Sequence, residues 1–173
     1  FLGHRRGSFT GASEDRPGRF EEARGGTLVL DEIEALKNEA QAKLLRVLEG
    51  GEYHRVGDAR ARHIDCRIVA VSNEDLRAKV ERGEFRSDLF WRLDVFPVVM
   101  PPLRDHPEDL EELAAKLVER LRARIGIPPP LQGDALSPEA LELLRGYAWP
   151  GNVRELRNVL ERAVILAGPR GTL

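Results

Sequence analysis

Two short apolar runs constrain the fold of this chain more than any other feature. Residues 26–30 read GTLVL and residues 67–71 read RIVAV, and both runs are rich in β-forming side chains. Continuous apolar runs of this length are typical of strands buried in a parallel sheet. A helical stripe over residues 36–49 lies between them, and a second helical segment over about 74–82 follows. Alternating strands and helices therefore predict an α/β layer with a parallel sheet.

The pattern changes at the Pro-Pro pair of residues 101–102. Before this pair, residues 88–93 fit a short helix, and residues 94–100, DVFPVVM, predict a third strand that Pro97 interrupts. Beyond it the pattern is helical only. We therefore expect an α/β subdomain over residues 1–102 and a helical lid over residues 103–173.

Three helices are predicted in this lid. The first covers residues 108–125, and a proline-rich linker that cannot be helical follows it. Ser137 caps the second helix, with Pro138 at its first position. Asn152 is expected to cap the last helix, which runs to about Leu166.

Composition limits the classes of function that the chain can serve. The 173 residues carry 27 basic and 29 acidic side chains, so there is no large basic field to hold nucleic acid. The one cysteine, Cys66, excludes an internal disulfide, fits a reducing compartment, and lies in an apolar run as a small buried hydrophobe. No signal peptide and no apolar stretch long enough to span a membrane is present, so a cytoplasmic protein is expected.

A pair of carboxylates, Asp31 and Glu32, directly follows the first predicted strand. The carboxyl ends of parallel strands are where such sheets bind ligands. An Asp at this place can hold Mg²⁺ on the phosphates of a nucleotide, and the Glu beside it can act as a general base on the attacking water. The alternative interpretation is that these acids belong to a solvated loop without a function. Two acids together at this location disfavour that alternative. The arrangement has the form of a Walker B motif.

Three other polar positions have both a functional and a structural interpretation. Asn73, after the second strand, can orient the water or sense the γ-phosphate, but by itself it is better explained as the cap of the following helix. Arg86 and Arg92 can serve a neighbour's nucleotide as arginine fingers, or they can form surface ion pairs with acids such as Asp88. Arg154, in the first turn of the last helix, can reach phosphates from the lid or can simply be exposed.

Residues 7–12 read GSFTGA, in which Gly7 and Gly11 bracket Phe9 and Thr10. Glycine permits positive φ at both ends of this loop. One interpretation is a glycine turn whose Phe folds back into the core. The other is a mobile loop that presents Phe9 and Thr10 to a partner.

Taken together, these segments resemble the central AAA+ ATPase domain of sigma-54-dependent transcription activators, which are also called bacterial enhancer-binding proteins. The resemblance runs through the whole chain in order. It rests on the segments FLGHRRGSFTGA, GRFEEARGGTLVLDEIEALKNEAQAKLLRVLEGGEYHRVG, FRSDLFWRL, PPLRDHPEDL and WPGNVRELRNV.

The resemblance implies a role for each candidate residue. GSFTGA corresponds to the GAFTGA loop that contacts the sigma factor, and residues 52–61 correspond to a second surface loop that moves with it. Asp31, which would hold Mg²⁺, and Glu32 correspond to the Walker B motif, and Asn73 corresponds to sensor I. Arg86 and Arg92 correspond to the arginine fingers, and Arg154 to sensor II. The residues implied to contact the sigma factor are Gly7, Ser8, Phe9, Thr10, Gly11 and Ala12.

The resemblance also implies cofactors and partners. These are ATP and Mg²⁺, the sigma-54 factor with the RNA polymerase holoenzyme, and copies of the chain in a hexameric or heptameric ring. Contact with DNA is expected only through a segment that this chain does not contain, and contact with a membrane is not expected.

The chain departs from the family at several positions. Ser8 stands where Ala is usual, FLGH replaces the usual order of Leu and Phe, and Ser72 precedes Asn73 where Thr is common. The large departure is that no GxxxxGK[ST] phosphate-binding motif, the Walker A motif, occurs in the 173 residues. In the family this motif lies upstream of the GAFTGA loop, and its strand occupies the middle of the sheet.

Two expectations follow from this departure. The 173 residues alone should neither fold stably nor hydrolyse ATP, because an open slot in the sheet exposes unpaired backbone. The alternative function is a non-catalytic adaptor that lacks the P-loop and binds the sigma factor without hydrolysis. A direct DNA-binding protein is disfavoured, since the chain is slightly acidic.

Overall fold

A computed structural model describes residues 2–4, 7, 14–127 and 136–168 of the chain. The chain divides into two compact units, Phe1–Pro97 and Val98–Leu173. The boundary expected from the sequence, after residue 102, lies inside the second of these units. Each unit is described by itself.

The first unit contains short strands and four helices. Its strands are β1 (Gly3–His4), β2 (Arg16–Pro17), β3 (Thr27–Leu30), β4 (Glu52–Tyr53), β5 (Arg62–His63) and β6 (Arg67–Ala70). Its helices are α1 (Arg19–Glu22), α2 (Asn38–Gly50), α3 (Leu76–Glu81) and α4 (Ser87–Leu93), with a 3-10 turn at Ile33–Ala35.

Strands β3 and β6 form a parallel pair in which Thr27 lies opposite Arg67 and Leu30 lies opposite Ala70. Both predicted strands are therefore confirmed. The antiparallel pairs β1–β2 and β4–β5 lie outside this pair. Because β3 and β6 run in the same direction, the residues that follow each strand come out at the same edge of the sheet.

The two faces of the β3–β6 pair are buried unequally, which differs from the expectation of strands buried on both sides. Leu28, Leu30 and Ile68 pack against the core of the unit. Val29 and Val69, on the opposite face, are 57% and 36% exposed. Side chains alternate between the faces of a strand, so within the described residues one face meets the helices and the other stays open.

Helix α2 supplies much of the core of the first unit. Its apolar stripe buries Leu44 and Val47 against Phe20 and Leu89. The helix ends where Gly51 adopts φ +65° and donates its N–H to the carbonyl of Val47 at 3.1 Å. The predicted glycine stop is confirmed, because the left-handed conformation at this position favours glycine.

The third predicted strand, over residues 94–100, does not form. No strand is assigned there, and Val95, Phe96 and Val99 are 81%, 84% and 88% exposed. A strand requires a neighbour that pairs with its N–H and C=O groups, and among the described residues none lies beside this segment.

The second unit contains the three predicted helices, α5 (Leu110–Arg124), α6 (Pro138–Arg145) and α7 (Asn152–Ala167). Ala114 and Val118 of α5 are fully buried against Leu156 and Val164 of α7. Ser137 caps α6 as predicted, since its Oγ accepts the N–H of Ala140 at 3.2 Å. None of the described helices in either unit is both long and apolar enough to cross a membrane.

The prediction that Asn152 caps α7 is wrong. Asn152 is the first residue of this helix, with φ +50°, and its Oδ1 accepts the N–H of Leu103 at 2.8 Å. The residue before the helix, Gly151, donates its N–H to the carboxylate of Glu155 at 2.8 Å. The side chain of Asn152 is thus used to fasten the segment that leads to α5, and it is not available to cap its own helix.

Candidate functional site

The two acids predicted to be catalytic lie at the carboxyl edge of the parallel pair. Asp31 and Glu32 directly follow β3, and both are exposed. Val71 donates its N–H to the carbonyl of Leu30 at 2.9 Å, and Ile33 donates its N–H to the carbonyl of Val71 at 3.1 Å. The two hydrogen bonds fix the backbone on either side of the acid pair, so the carboxylates emerge from an ordered edge.

Glu32 has an unusual backbone conformation for a residue with a side chain. Its φ is 53° and its ψ is 45°, in the left-handed region. This conformation costs roughly 1–2 kcal/mol for an L-amino acid, and such residues cluster at functional sites. The turn ends the strand abruptly and begins the 3-10 helix at Ile33–Ala35.

Asp31 has a carboxylate oxygen that fits a magnesium ligand. Its Oδ1 accepts the N–H of Glu32 at 3.0 Å, and its Oδ2 makes no hydrogen bond with any described residue. Mg²⁺ in nucleotide sites is usually held by one or two carboxylates together with phosphate oxygens and water. A single exposed Asp at this edge therefore suits a metal that arrives with a nucleotide.

Asn73 lies at the end of the neighbouring strand, beyond Val71. The alternative interpretation, in which it caps α3, is wrong, because Asp75 is the cap and its Oδ1 accepts the N–H of Arg77 at 2.8 Å. Asn73 is exposed, and its side-chain amide forms no hydrogen bond within the described part of the chain. The amide is therefore available to a ligand at the edge where Asp31 emerges.

Glu34 joins the two strand ends, and sequence reasoning missed it. Its Oε1 accepts the backbone N–H of Asn73 at 3.2 Å, while its Oε2 is buried without a hydrogen-bond partner among the described residues. Burial alone raises the pKa of Glu34, but hydrogen bonding from backbone N–H groups, including that of Asn73, outweighs burial and lowers the pKa from its usual value. Glu34 therefore stays ionised at neutral pH and ties the loop after β3 to the loop after β6.

The two predicted arginine fingers lie at opposite ends of α4. Arg86 precedes the helix, and its Nε and Nη2 donate to the two carboxylate oxygens of Asp88 at 3.0 and 2.7 Å. This hydrogen bonding lowers the pKa of Asp88. Arg92, in the last turn, donates from Nη2 to the carbonyl of Leu48 at 2.9 Å. Both arginines are exposed, and the ion pair with Asp88 that the sequence offered as an alternative does form.

A second residue that sequence reasoning missed is Gln41 in α2. Its side chain is fully buried and contacts the backbone of Leu36, Glu84 and Arg86. In the sequence it interrupts an apolar stripe and gives no other signal. It connects the segment that carries the acids to the segment that carries Arg86.

The remaining predicted residues lie in the second unit or outside the described residues. Arg154 is in the first turn of α7, is exposed, and forms no ion pair or hydrogen bond with a described residue. Gly7 has φ +79°, as expected for a hinge glycine. The other positions predicted to contact the sigma factor, Ser8, Phe9, Thr10, Gly11 and Ala12, lie outside the described residues.

The described base of the GSFTGA loop is hydrogen-bonded to the second predicted loop. Val56 donates its N–H to the carbonyl of Gly3 at 3.1 Å, and His4 and Val56 form a parallel bridge. Segment 52–61 therefore shares backbone contacts with the strand that leads into residues 7–12.

These features define a class of protein. An acid pair and an amide follow adjacent parallel strands, α4 with Arg86 and Arg92 at its ends comes later in the chain, and a helical lid follows. This is the arrangement of nucleotide-binding α/β domains, in which ligands bind at the carboxyl ends of the strands.

Comparison with known families gives the particular class. Residues 1–99 match the family model described as the sigma-54 interaction domain, and residues 104–172 match the AAA+ ATPase lid domain. The chain belongs to the sigma-54 activator family of AAA+ domains. This confirms the family and the α/β fold class predicted from the sequence.

The relatives with similar sequences are transcription regulators. The chain is 49% identical over 170 residues to the nitric oxide reductase transcription regulator NorR2 of Cupriavidus necator, a match that covers 98% of this chain and 32% of that protein. It is 51% identical over 166 residues to the anaerobic nitric oxide reductase transcription regulator NorR of Salmonella agona, covering 96% of this chain and 32% of the relative. The chain thus spans about a third of the length of these relatives.

Solved structures of NtrX from Brucella abortus share the fold. One aligns with a TM-score of 0.86 and 36% identity over 96% of this chain and 36% of the NtrX chain. Another, in complex with ATP, aligns with a TM-score of 0.80 and 38% identity over 88% of this chain and 34% of the NtrX chain.

Proposed function

We propose that this chain is the greater part of an ATP-hydrolysing domain that remodels the closed complex of sigma-54 RNA polymerase. The observation that carries the proposal is the acid pair on the left-handed turn at Glu32, at the edge of the sheet where Asn73 follows the adjacent strand. In this proposal Asp31 holds Mg²⁺, Glu32 activates the attacking water, and Asn73 senses the γ-phosphate. The NtrX structure in complex with ATP supports nucleotide binding by this fold.

Three arginines that lie outside the edge of the β3–β6 pair are proposed to complete the site. Arg86 and Arg92 are proposed to act on the nucleotide of the neighbouring subunit in a hexameric or heptameric ring, and Arg154 is proposed to contact the phosphates from the lid. The exposure of all three side chains supports these roles, since a group that serves another subunit or a ligand has to be accessible. The bond from Arg86 to Asp88 then has to open, or Asp88 has to move with Arg86, when the subunits meet.

The loop at residues 7–12 is proposed to contact the sigma-54 factor of the polymerase holoenzyme and to move during hydrolysis. The hydrogen bond from Val56 to Gly3 supports concerted movement with segment 52–61. Such a change of position driven by the γ-phosphate is a known form of nucleotide switching.

ATP hydrolysis in this proposal is a property of the complete regulator. The 173 residues contain no GxxxxGK[ST] motif, so the phosphate cradle has to come from other sequence. The same observation favours the second candidate, an adaptor that binds the sigma factor without hydrolysis. The two candidates differ in whether the complete protein hydrolyses ATP.

ATP turnover by the wild type separates the two candidates, and substitution of Glu32 tests the proposed base. In the complete regulator, Glu32→Gln should keep ATP affinity and lower ATP turnover by about 10²–10⁴-fold, because a general base contributes on this order. The matched control is Glu81→Gln, which neutralises an exposed carboxylate at the end of α3 and should leave turnover unchanged. Turnover by Glu32→Gln at the wild-type rate would remove Glu32 from the mechanism, and absence of turnover in the wild type would favour the adaptor.

The proposed role of residues 7–12 is tested by measuring promoter opening together with ATP hydrolysis. Thr10→Ala should hydrolyse ATP normally and fail to open a sigma-54 promoter, whereas Glu32→Gln should lose both activities. Loss of hydrolysis by Thr10→Ala would indicate a structural role for the loop and contradict the proposed sigma contact.

A further inference from the structure

Gln41 is a buried amide whose hydrogen-bonding groups are all directed at the protein backbone. The residue is 0% exposed and lies in the first turns of α2. Its Nε2 donates to the carbonyl of Leu36 at 2.8 Å and to the carbonyl of Glu84 at 3.1 Å. Its Oε1 accepts the N–H of Arg86 at 2.9 Å.

The orientation of this amide is fixed by its surroundings. Two carbonyl oxygens face the nitrogen and one N–H faces the oxygen, so a flipped amide would oppose acceptor to acceptor and donor to donor. A glutamine has two N–H donors and an acceptor on one rigid plane, which matches these three backbone groups. Burying an amide without such partners is costly, so Gln41 holds the three groups in one arrangement.

The three backbone groups belong to two parts of the proposed site. Leu36 ends the 3-10 segment that follows Asp31 and Glu32, whereas Glu84 and Arg86 flank Phe85 at the start of α4. Phe85 is itself buried, at 3% exposure, so the finger segment is fixed by an apolar anchor and by the Gln41 amide together. The Arg86 side chain is exposed, but the backbone from which it projects is held from inside the core.

We propose that Gln41 is a positioning residue that sets the backbone of Arg86 relative to the acid-bearing segment of the same subunit. This inference rests on the proposed function, because positioning matters only if Arg86 acts on the nucleotide of a neighbour. Gln41 touches neither the nucleotide nor the reacting atoms in this proposal. It acts through the finger, and a misplacement of about 1 Å in such a group can cost on the order of 10²-fold in rate.

The test uses the complete regulator and Gln41→Met, which keeps the length of the side chain and removes all three hydrogen bonds. We expect the kcat for ATP to fall roughly 10–100-fold while KM stays within about threefold, because the finger acts in the transition state. An unchanged kcat in an assembled Gln41→Met protein would overturn the proposal.

Mixed rings distinguish a misplaced finger from general damage. A Glu32→Gln subunit lacks the base but has intact fingers, so a Gln41→Met subunit that faces it should regain hydrolysis at its own nucleotide. The mixture should therefore exceed the summed activities of the two separate proteins. Arg86→Ala is the matched control and should complement Glu32→Gln in the same way.

The outcomes separate this inference from the proposed function. Complementation by Arg86→Ala but not by Gln41→Met would overturn the role of Gln41 alone. Failure of Arg86→Ala to complement would overturn the proposed action of Arg86 across subunits, and the Gln41 inference with it. If Gln41→Met does not assemble, Gln41→Asn, which keeps an uncharged amide but is one methylene too short to reach all three backbone groups, replaces it in the mixed rings. Complementation by Gln41→Asn would then support the inference, and failure to complement would overturn it.

Discussion

At the scale of single residues, the described positions with positive φ and a side chain are Glu32, Trp149 and Asn152. Glu32 is the proposed base, whereas Trp149 and Asn152 lie at the turn before α7, where Asn152 accepts the N–H of Leu103. A left-handed conformation costs free energy for most residues with a side chain and less for Asn. The strain therefore falls chiefly on Glu32 and Trp149.

Alanine usually gives a more stable protein than glycine, but the strain at Glu32 predicts the opposite order for substitutions at this position. Glu32→Gly should be more stable than Glu32→Ala by about 1 kcal/mol, because alanine retains the left-handed penalty and glycine does not. The measurement is the free energy of unfolding of the complete regulator by urea. Arg46, an exposed residue inside α2, is the control, and there glycine should be less stable than alanine by about 1 kcal/mol. A Glu32→Ala protein as stable as Glu32→Gly would show that the turn is not strained.

Single residues also mark the limit of sequence reasoning. The position of Asp31, Glu32 and Asn73 at one edge of the sheet could be predicted because these residues follow recognisable strands, and their catalytic roles stay predictions. The contacts of Gln41 with Arg86 and of Glu34 with Asn73 could not be predicted, because these partners lie more than 30 positions away in the chain. Their function in the fold depends on which segments come together, and no local pattern encodes that.

At the scale of elements, a half-buried ion-pair network fastens α1 to the second loop, residues 52–61, and to β5. Arg55 donates from Nε to Oε1 of Glu21 at 2.7 Å and from Nη2 to Oε2 of Glu21. Arg62 of β5 pairs with Asp58 at 3.0 Å and approaches Glu21 at 3.6 Å. The hydrogen bonds from Arg55 and the positive charges of Arg55 and Arg62 outweigh burial and lower the pKa of Glu21 below 4.5.

This network predicts a pH-dependent contribution to stability. Because the pKa of Glu21 is lower in the folded state than in the unfolded chain, the stabilisation is fully present above about pH 4.5 and is lost as the pH falls through the folded pKa. Glu21→Gln should thus destabilise the complete regulator by about 1–3 kcal/mol at pH 7, and the difference from wild type should shrink below pH 4.5.

The control for this prediction is Glu22→Gln, which alters a neighbouring carboxylate whose partner Arg19 is 63% exposed. It should change the free energy of unfolding by less than about 1 kcal/mol at either pH. A difference between Glu21→Gln and wild type that does not change with pH would exclude ionisation of Glu21 as the source of the stabilisation.

At the scale of the whole molecule, the described residues leave apolar surface open in the first unit. Val29 and Val69 are exposed on one face of the β3–β6 pair, and Val95 and Phe96 are exposed in the segment predicted to be a third strand. Large contiguous apolar surface is uncommon on stable monomers. The exposed apolar face and the absent phosphate-binding motif both belong to the α/β part of the chain. The buried core of the lid does not depend on either.

We therefore expect the isolated 173-residue chain to be inactive and poorly cooperative. It should show no ATP hydrolysis, bind a dye such as ANS that reports exposed apolar surface, and melt over a broad temperature range. The complete regulator, measured alongside, should hydrolyse ATP and bind less dye per chain. A cooperative melt of the isolated chain that does not depend on its concentration would contradict this expectation.

The sequence by itself determined the parallel strands β3 and β6 and the helices α2 to α7, and its motifs identified the family and the order of the proposed site residues. The strands and helices follow from hydrophobic periodicity, capping and glycine stops, which act between residues close together in the chain. Tertiary structure decided the left-handed turn at Glu32, the ties made by Glu34 and Gln41, the use of Asn152 to hold Leu103, and the failure of residues 94–100 to form a strand. Each of these depends on whether a distant segment supplies a hydrogen-bond partner, and a buried polar group or a strand edge has no stable arrangement without one.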